Sequence, residues 1–178
     1  MKNLVNIKGK ILYKYHTPKG NNIILRIGCG GNAISCFTAD PRLKEQLKHF
    51  DVSDDINLSG NIQSTKRGDN YTYTIFIDEI VPPELTDKFG FYNQFWLDGH
   101  VANIVDFNSC VQITVKTEQE GRISYIPVVF FHPDPRILNF EFGEKIRVQG
   151  SVQSVRKPDG NGGYVFYQNY VGSQKKIA

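Results

Sequence analysis

The chain has 178 residues, of which 40% are apolar, 22% charged and 12% aromatic. That mix is too apolar for a disordered chain and too polar for a membrane protein, and its apolar runs fall short of the ~20 residues that span a bilayer. Lys plus Arg number 21 against 18 Asp plus Glu, a net charge of +3, which permits a nucleic-acid partner without arguing for one.

The start, Met1-Lys2-Asn3-Leu4-Val5-Asn6-Ile7-Lys8, holds no continuous apolar stretch and does not read as a signal peptide. A cytoplasmic protein with no membrane partner is expected. Cys29, Cys36 and Cys110 form no CxxC pair, and an odd count fits buried thiols in a reducing compartment.

Along the first half the apolar period is two, the period of strands. A first strand runs through Ile7-Lys8-Gly9-Lys10-Ile11. Ile23-Ile24-Leu25-Arg26-Ile27 and Ala33-Ile34-Ser35-Cys36-Phe37 flank Gly28-Cys29-Gly30-Gly31-Asn32, a hairpin pattern. One helix follows: Leu43, Leu47 and Phe50 share a face, Asp40 is positioned as N-cap, and Pro41 suits the first turn. Ile56 to Ile62 and Tyr71 to Ile77 form a last pair, joined by Thr65-Lys66-Arg67-Gly68-Asp69-Asn70. Strand, strand, strand, helix, strand, strand is the order of an OB-fold, a five-stranded Greek-key barrel.

Val81-Pro82-Pro83 then stops the sheet, because proline cannot donate to a ladder. Residues 83–92 read as a short linker between domains 1–82 and 93–178, with enough apolar side chains to hold them against each other. The second domain repeats the first at a shift of about ninety residues. Gly9 recurs as Gly99, Asp40-Pro41-Arg42-Leu43 as Asp134-Pro135-Arg136-Ile137, and Gly60-Asn61-Ile62-Gln63-Ser64 as Gly150-Ser151-Val152-Gln153-Ser154. Its helix shrinks to about one turn around Ile137. The expected fold is all-β with one short helix: two tandem OB barrels.

An OB barrel presents strands two and three, walled by the one-two and four-five loops, to strands of nucleic acid or sugar. On the second copy's third strand, alternation sends Ile126, Val128 and Phe130 inward and Tyr125, Pro127, Val129 and Phe131 outward. Counted back from Asp-Pro-Arg, Phe37 stands level with Phe131, and Gly31 with Tyr125. Strand two offers outward Arg26 in one copy and Gln112, Thr114 and Lys116 in the other. The four-five loops carry Lys66, Arg67 and Tyr71, and Arg156, Lys157 and Tyr164; the first one-two loop holds Tyr13, Lys14, Tyr15, His16 and Lys19. Cations neutralise phosphates and rings stack bases, so this pattern suits a single strand.

Tyr125-Ile126-Pro127-Val128-Val129-Phe130-Phe131, followed by Gly143-Glu144-Lys145-Ile146-Arg147-Val148-Gln149-Gly150-Ser151-Val152-Gln153-Ser154, resembles the bacterial single-stranded DNA-binding protein family. The resemblance implies that Tyr125 and Phe131 stack bases, that Phe37 matches the second of them, and that Gly60 to Ser64 repeats the strand-four motif. Three features depart from that family. Its members carry one barrel per chain and assemble as tetramers, whereas two barrels stand here. Its acidic tail has no counterpart in Gly172-Ser173-Gln174-Lys175-Lys176-Ile177-Ala178, so recruitment of replication partners by that route is not expected. A further stacking position is held by Arg67 and Lys157, so charge replaces a ring there.

The expected function is binding of single-stranded DNA with little sequence preference, in replication, recombination or transfer. Arg26, Lys66, Arg67, Lys116, Arg156 and Lys157 would contact phosphate, while Phe37, Tyr125 and Phe131, with the loop residues Tyr71 and Tyr164, would stack on bases. Two alternatives stay open: a tandem-OB scaffold with Phe37 and Phe131 at a protein interface, and a single-stranded RNA binder. Other replication or recombination proteins are further candidate partners, and the strand Tyr71 to Ile77 leaves edge-to-edge pairing into a homo-oligomer open. No enzyme, cofactor or metal is expected. The four histidines match no catalytic motif, Gly28-Cys29-Gly30-Gly31 lacks a following Gly-Lys-Ser/Thr, and Asp54-Asp55 and Asp78-Glu79 are merely adjacent carboxylates.

Overall fold

In the computed structural model, residues 2–18, 22–82 and 92–177 are described. The first repeat forms β1 (Asn3–His16), β2 (Ile23–Cys29), β3 (Asn32–Thr38), α1 (Pro41–Gln46) continued by a 3-10 turn (Leu47–His49), β4 (Asp55–Arg67) and β5 (Asn70–Ile80). The second forms β6 (Tyr92–Asp106), β7 (Cys110–Gln119), β8 (Arg122–Phe131), α2 (Pro135–Leu138), β9 (Lys145–Pro158) and β10 (Tyr164–Ile177). Lys19 and residues 83–91 of the expected 83–92 linker lie outside the described residues, and its last residue, Tyr92, already begins β6. Among the described residues, no helix is long and apolar enough to cross a membrane.

Each repeat closes on itself. The first ring runs β2-β3-β5-β4-β1 and is sealed by β1 against β2; the second runs β6-β7-β8-β10-β9 and is sealed by β9 against β6. In each ring strand three meets strand five in parallel, at Phe37↔Phe76 and at Val129↔Val171, and the other recorded ladders are antiparallel. This is the OB topology that the strand order predicts, with closure removing the edges an open sheet would expose.

Alternation decides the inside. Along β2 and β8 every second residue is buried, including Leu25 and Ile27 in the first ring and Ile126, Val128 and Phe130 in the second. Full burial of each such side chain is worth ~1.5–3 kcal/mol, enough to penalise a one-residue slip that would turn the set outward. Gly30-Gly31 and Glu120-Gly121 take positive φ at both turn positions, which gives two-residue hairpins whose twist matches the strands. The strands therefore run to Cys29 and Asn32, beyond the looser loop the glycine-rich stretch suggests.

Asp40 caps α1 by accepting from the Arg42 amide at 2.8 Å, and Asp134 repeats this with Arg136 at 2.9 Å. Leu43 and Leu47 are buried beneath α1 and its 3-10 extension, while α2 buries Ile137. Cys29 and Cys36 are buried and Cys110 half-buried, all three as free thiols. Burial pushes Cys36 up to about 12. By compactness, Leu4–Gln63 with Thr74–Gln94 form one unit; Met1–Asn3, Ser64–Tyr73 and Phe95–Ala178 form the other.

Candidate nucleic-acid interface

The unit containing the second ring gathers most of the candidates. Its segment Ser64–Tyr73 is the tip of the β4–β5 hairpin, clamped to the start of β8: Ser64 Oγ accepts from the Tyr125 amide at 2.8 Å, and Ser124 Oγ accepts from the Ser64 amide at 3.3 Å. The clamp delivers two rings to Tyr125. Tyr71 lies 6.2 Å from Tyr125 and stacks on Tyr73 at 6.5 Å with an interplanar angle of 16°. Burial, together with the neighbouring Tyr71, raises the Tyr73 phenol above its ordinary value, so this hydroxyl stays neutral at physiological pH. Lys116 is the direct cross-strand neighbour of Tyr125 on β7 and is exposed. Lys66 and Arg67 are exposed at the hairpin tip, where the turn begins at Gly68.

Beside these rings lies an open groove of about 380 Å³, floored by Gln112 on β7 with Pro127 and Val129 on β8, and walled by Tyr73, Lys157 and Tyr167 among others. It occupies the outer face of strands two and three, where an OB barrel takes its ligand. Phe131 ends the same strand and is 47% exposed. Tyr73 and Tyr167 were not singled out from the sequence. Tyr73 stands two residues from Tyr71 along one strand, a spacing that alternation places on one face, and Tyr167 pairs with Val155 beyond the hairpin end.

Arg156 and Tyr164 are adjacent in a different way. The guanidinium carbon lies 3.4 Å from the Tyr164 ring centroid, so one face of that ring is covered by the chain's own cation. They form one cation–aromatic unit.

Arg26 and Phe37 belong to the other unit. Arg26 points outward from β2, as alternation predicts. Phe37 is half-buried and meets Phe76 edge-on, with centroids 4.9 Å apart. Lys14 does not face a loop ligand: its ammonium donates to the carbonyls of Leu47 at 3.1 Å and of Phe50, holding the end of the helical segment.

The ladders correct one equivalence. Gly9 and Gly99 mark the same point, since a Cβ on either would lie 2.3 Å from the Gly28 or Lys116 carbonyl oxygen. From there Ile11↔Ile27↔Ile34 matches Val101↔Val115↔Ile126. Phe37 therefore stands level with Val129, and Ala33 with Tyr125. Counting back from Asp-Pro-Arg misplaces Phe37 by two residues because Phe131 and His132 are an insertion before α2. His132 sits there in the left-handed region at φ 48°. A two-residue error preserves the face, so Phe37 and Phe131 are both outward but at different heights.

No protein-family model matches the chain by sequence, and no curated protein does. The chain is similar to the single-stranded DNA binding protein from Thermus aquaticus. The wild-type structure aligns at a TM-score of 0.67 with 12% identity, covering 99% of this chain and 92% of that one. A deletion mutant of the same protein aligns at 0.67 with 14% identity, covering 99% and 93%. At these identities the likeness establishes the OB fold.

Proposed function

We propose that the chain binds single-stranded DNA with little sequence preference, mainly through the second ring. One observation carries the reading: Tyr125, Tyr71 and Tyr73 form a contiguous set of rings that adjoins an open groove on the OB ligand face, with Lys116 and Lys157 beside it. Every base has a π-face, so such a set accepts a strand without reading its sequence. Lys66, Arg67 and Arg156 extend the cationic border along the hairpin tips, and Phe131 continues the ring set along β8. Arg26 and Phe37, with Phe76, offer a smaller second contact on the first ring. A role in replication, recombination or transfer follows from that activity, and further proteins of those processes are its natural partners.

Titrating poly-dT at several salt concentrations tests this. Six phosphate contacts (Arg26, Lys66, Arg67, Lys116, Arg156 and Lys157) predict a slope of about −4 in log affinity against log salt for a single strand. Affinity that is absent at low salt, or indifferent to salt, overturns the reading. Tighter binding of poly-rU than of poly-dT would move the assignment to RNA.

A further inference from the structure

Two exposed tyrosines of the first ring take no part in the interface described above: Tyr13 is 62% and Tyr15 51% exposed. The sequence suggests a loop for both, but the structure places them in β1 itself, past a bulge. Up to Ile11 every second residue of β1 is buried, and unbroken alternation would send Tyr13 and Tyr15 inward as well. The register shifts between Ile11, opposite Ile27, and Tyr13, opposite Arg26. The extra residue, Leu12, lies over Gly28, where a Cβ would meet its side chain at 3.1 Å, and beyond it the facing of the strand is re-aimed. Lys14 now falls opposite the buried Leu25 and donates to the carbonyls of Leu47 and Phe50. Tyr13 and Tyr15 turn outward, opposite Arg26 and Ile24.

The ladders extend these tyrosines into two rows across the outer face. One row is Tyr13↔Arg26↔Ser35; the next is Tyr15↔Ile24↔Phe37↔Phe76, crossing β1, β2, β3 and β5. Tyr13 and Tyr15 stand ~7 Å apart along one strand, and Tyr15 lies two strands, ~10 Å, from Phe37. Arg26 is the one charged side chain in these two rows. The second ring has the same bulge, between Val101 and Asn103. There the two outward places hold Asn103, opposite Thr114, and Val105, opposite Gln112. The bulge therefore belongs to the shared scaffold and the tyrosines do not. Grouped rings left in water where the fold does not require them mark a contact surface.

We propose that this face of the first ring is a separate stacking site for the single strand, in which Tyr13 and Tyr15 take bases beside Phe37. The inference rests on the single-strand reading above and adds a division of labour to it. Two of these rows' strands, β2 and β3, are the strands on which an OB barrel takes its ligand, and the rows run through Arg26 and Phe37 without a break. The second ring's groove has Lys116 and Lys157 beside it, whereas the first ring's rows hold Arg26 alone. Phosphate contacts set the salt dependence of binding through counterion release, while ring stacking needs no charge. The first ring's hold on the strand therefore depends little on salt, and it keeps the strand attached where rising salt weakens the second ring's grip.

Titration of the full chain with poly-dT at low and at high salt tests it. Tyr13→Ala combined with Tyr15→Ala should weaken binding about fivefold or more, the least expected of one lost stacked base, and the loss should persist at high salt. Tyr13→Phe combined with Tyr15→Phe should bind as the unaltered chain does, because stacking needs the ring and not the hydroxyl. Poly-dT should also shield Tyr13 and Tyr15 of the unaltered chain from nitration by tetranitromethane, a readout that does not depend on how any variant folds. A loss that vanishes at high salt, or tyrosines still open to nitration in the saturated complex, overturns the inference and leaves the single-strand reading standing. Unchanged affinity of the alanine pair does the same and leaves the face to a protein partner. A chain that binds no poly-dT overturns both.

Discussion

The two rings agree where backbones cross and differ where side chains face outward. In both, a glycine on strand one and another on strand four sit where a Cβ would strike a neighbouring carbonyl: Gly9 and Gly60 in one, Gly99 and Gly150 in the other. On the outer face the registers diverge. The position pair Phe37↔Phe76 in the first ring is Val129↔Val171 in the second, which places its rings instead at Tyr125 and at the inserted Phe131. Barrel closure tolerates little, because strands must approach to hydrogen-bonding distance, whereas an exposed face is free to be reassigned. The repeat therefore preserves a scaffold more strictly than a binding surface.

The most disruptive way to break that correspondence is to fill the shared close contacts. A Cβ at Gly60 would lie 2.0 Å from the Phe76 carbonyl oxygen, and one at Gly150 would lie 2.0 Å from that of Val171. Gly60→Ala and Gly150→Ala should each cost ~1–3 kcal/mol or more in chemical denaturation, since backbone cannot yield as a flexible side chain can. Gly150→Ala should be the worse of the two, because its Cβ would also meet the Phe95 ring at 2.6 Å. A tolerated substitution in either ring would show that the two do not close alike.

These same positions explain how far the sequence could be read. Gly9, Gly60, Asp40-Pro41 and their counterparts are dictated by steric and capping demands that leave little choice of residue, so they recur and reveal the repeat, the strand order and the helix. Inward and outward faces were also legible, because an apolar side chain every second residue is the condition for a closed core. The interface was legible only in part. Tyr71 and Tyr125 are about fifty positions apart and carry no local sign of contact; their meeting depends on the Ser64–Ser124 clamp. The level of Phe37 was misread because a two-residue insertion leaves strand alternation undisturbed.

Ring deletions sharpen the comparison of the two faces. Tyr125→Ala should weaken poly-dT binding by ~1–3 kcal/mol, the usual worth of a stacked base, and Tyr73→Ala should act in the same direction. Phe37→Ala should lose less affinity, because its ring is half-buried and already engaged edge-on by Phe76. A larger loss at Phe37 than at Tyr125, measured under the same salt, would transfer the main site to the first ring.

Charge deletion is a finer probe. Lys157→Gln removes one cation from the wall of the groove and should lower the magnitude of the log-log salt slope by about 0.7, with a uniform loss of affinity across sequences. An unchanged slope would leave Lys157 outside the strand's path.

The smallest effect belongs to the two capping aspartates, and its sign follows from the direction of their titration. The Arg42 side chain and then its backbone amide, both donating to the Asp40 carboxylate, hold it below the ordinary carboxylate range; Arg136 does the same for Asp134. A carboxylate depressed on folding stabilises above its unfolded value, and that contribution fades as pH falls through the folded one. Both caps are solvent-exposed, so the global loss in acid should be slight. The local response should differ between the rings. Protonating Asp40 frees the start of a helix that continues through Leu47–His49 and buries both Leu43 and Leu47, whereas Asp134 caps four residues around Ile137. Amide exchange at Arg42 and Arg136, followed from neutral to acid pH, should therefore show the shorter helix opening first, because fewer buried side chains hold its first turn once the cap is gone. Simultaneous release would mean that the cap and not the buried leucines sets the stability of the first helix.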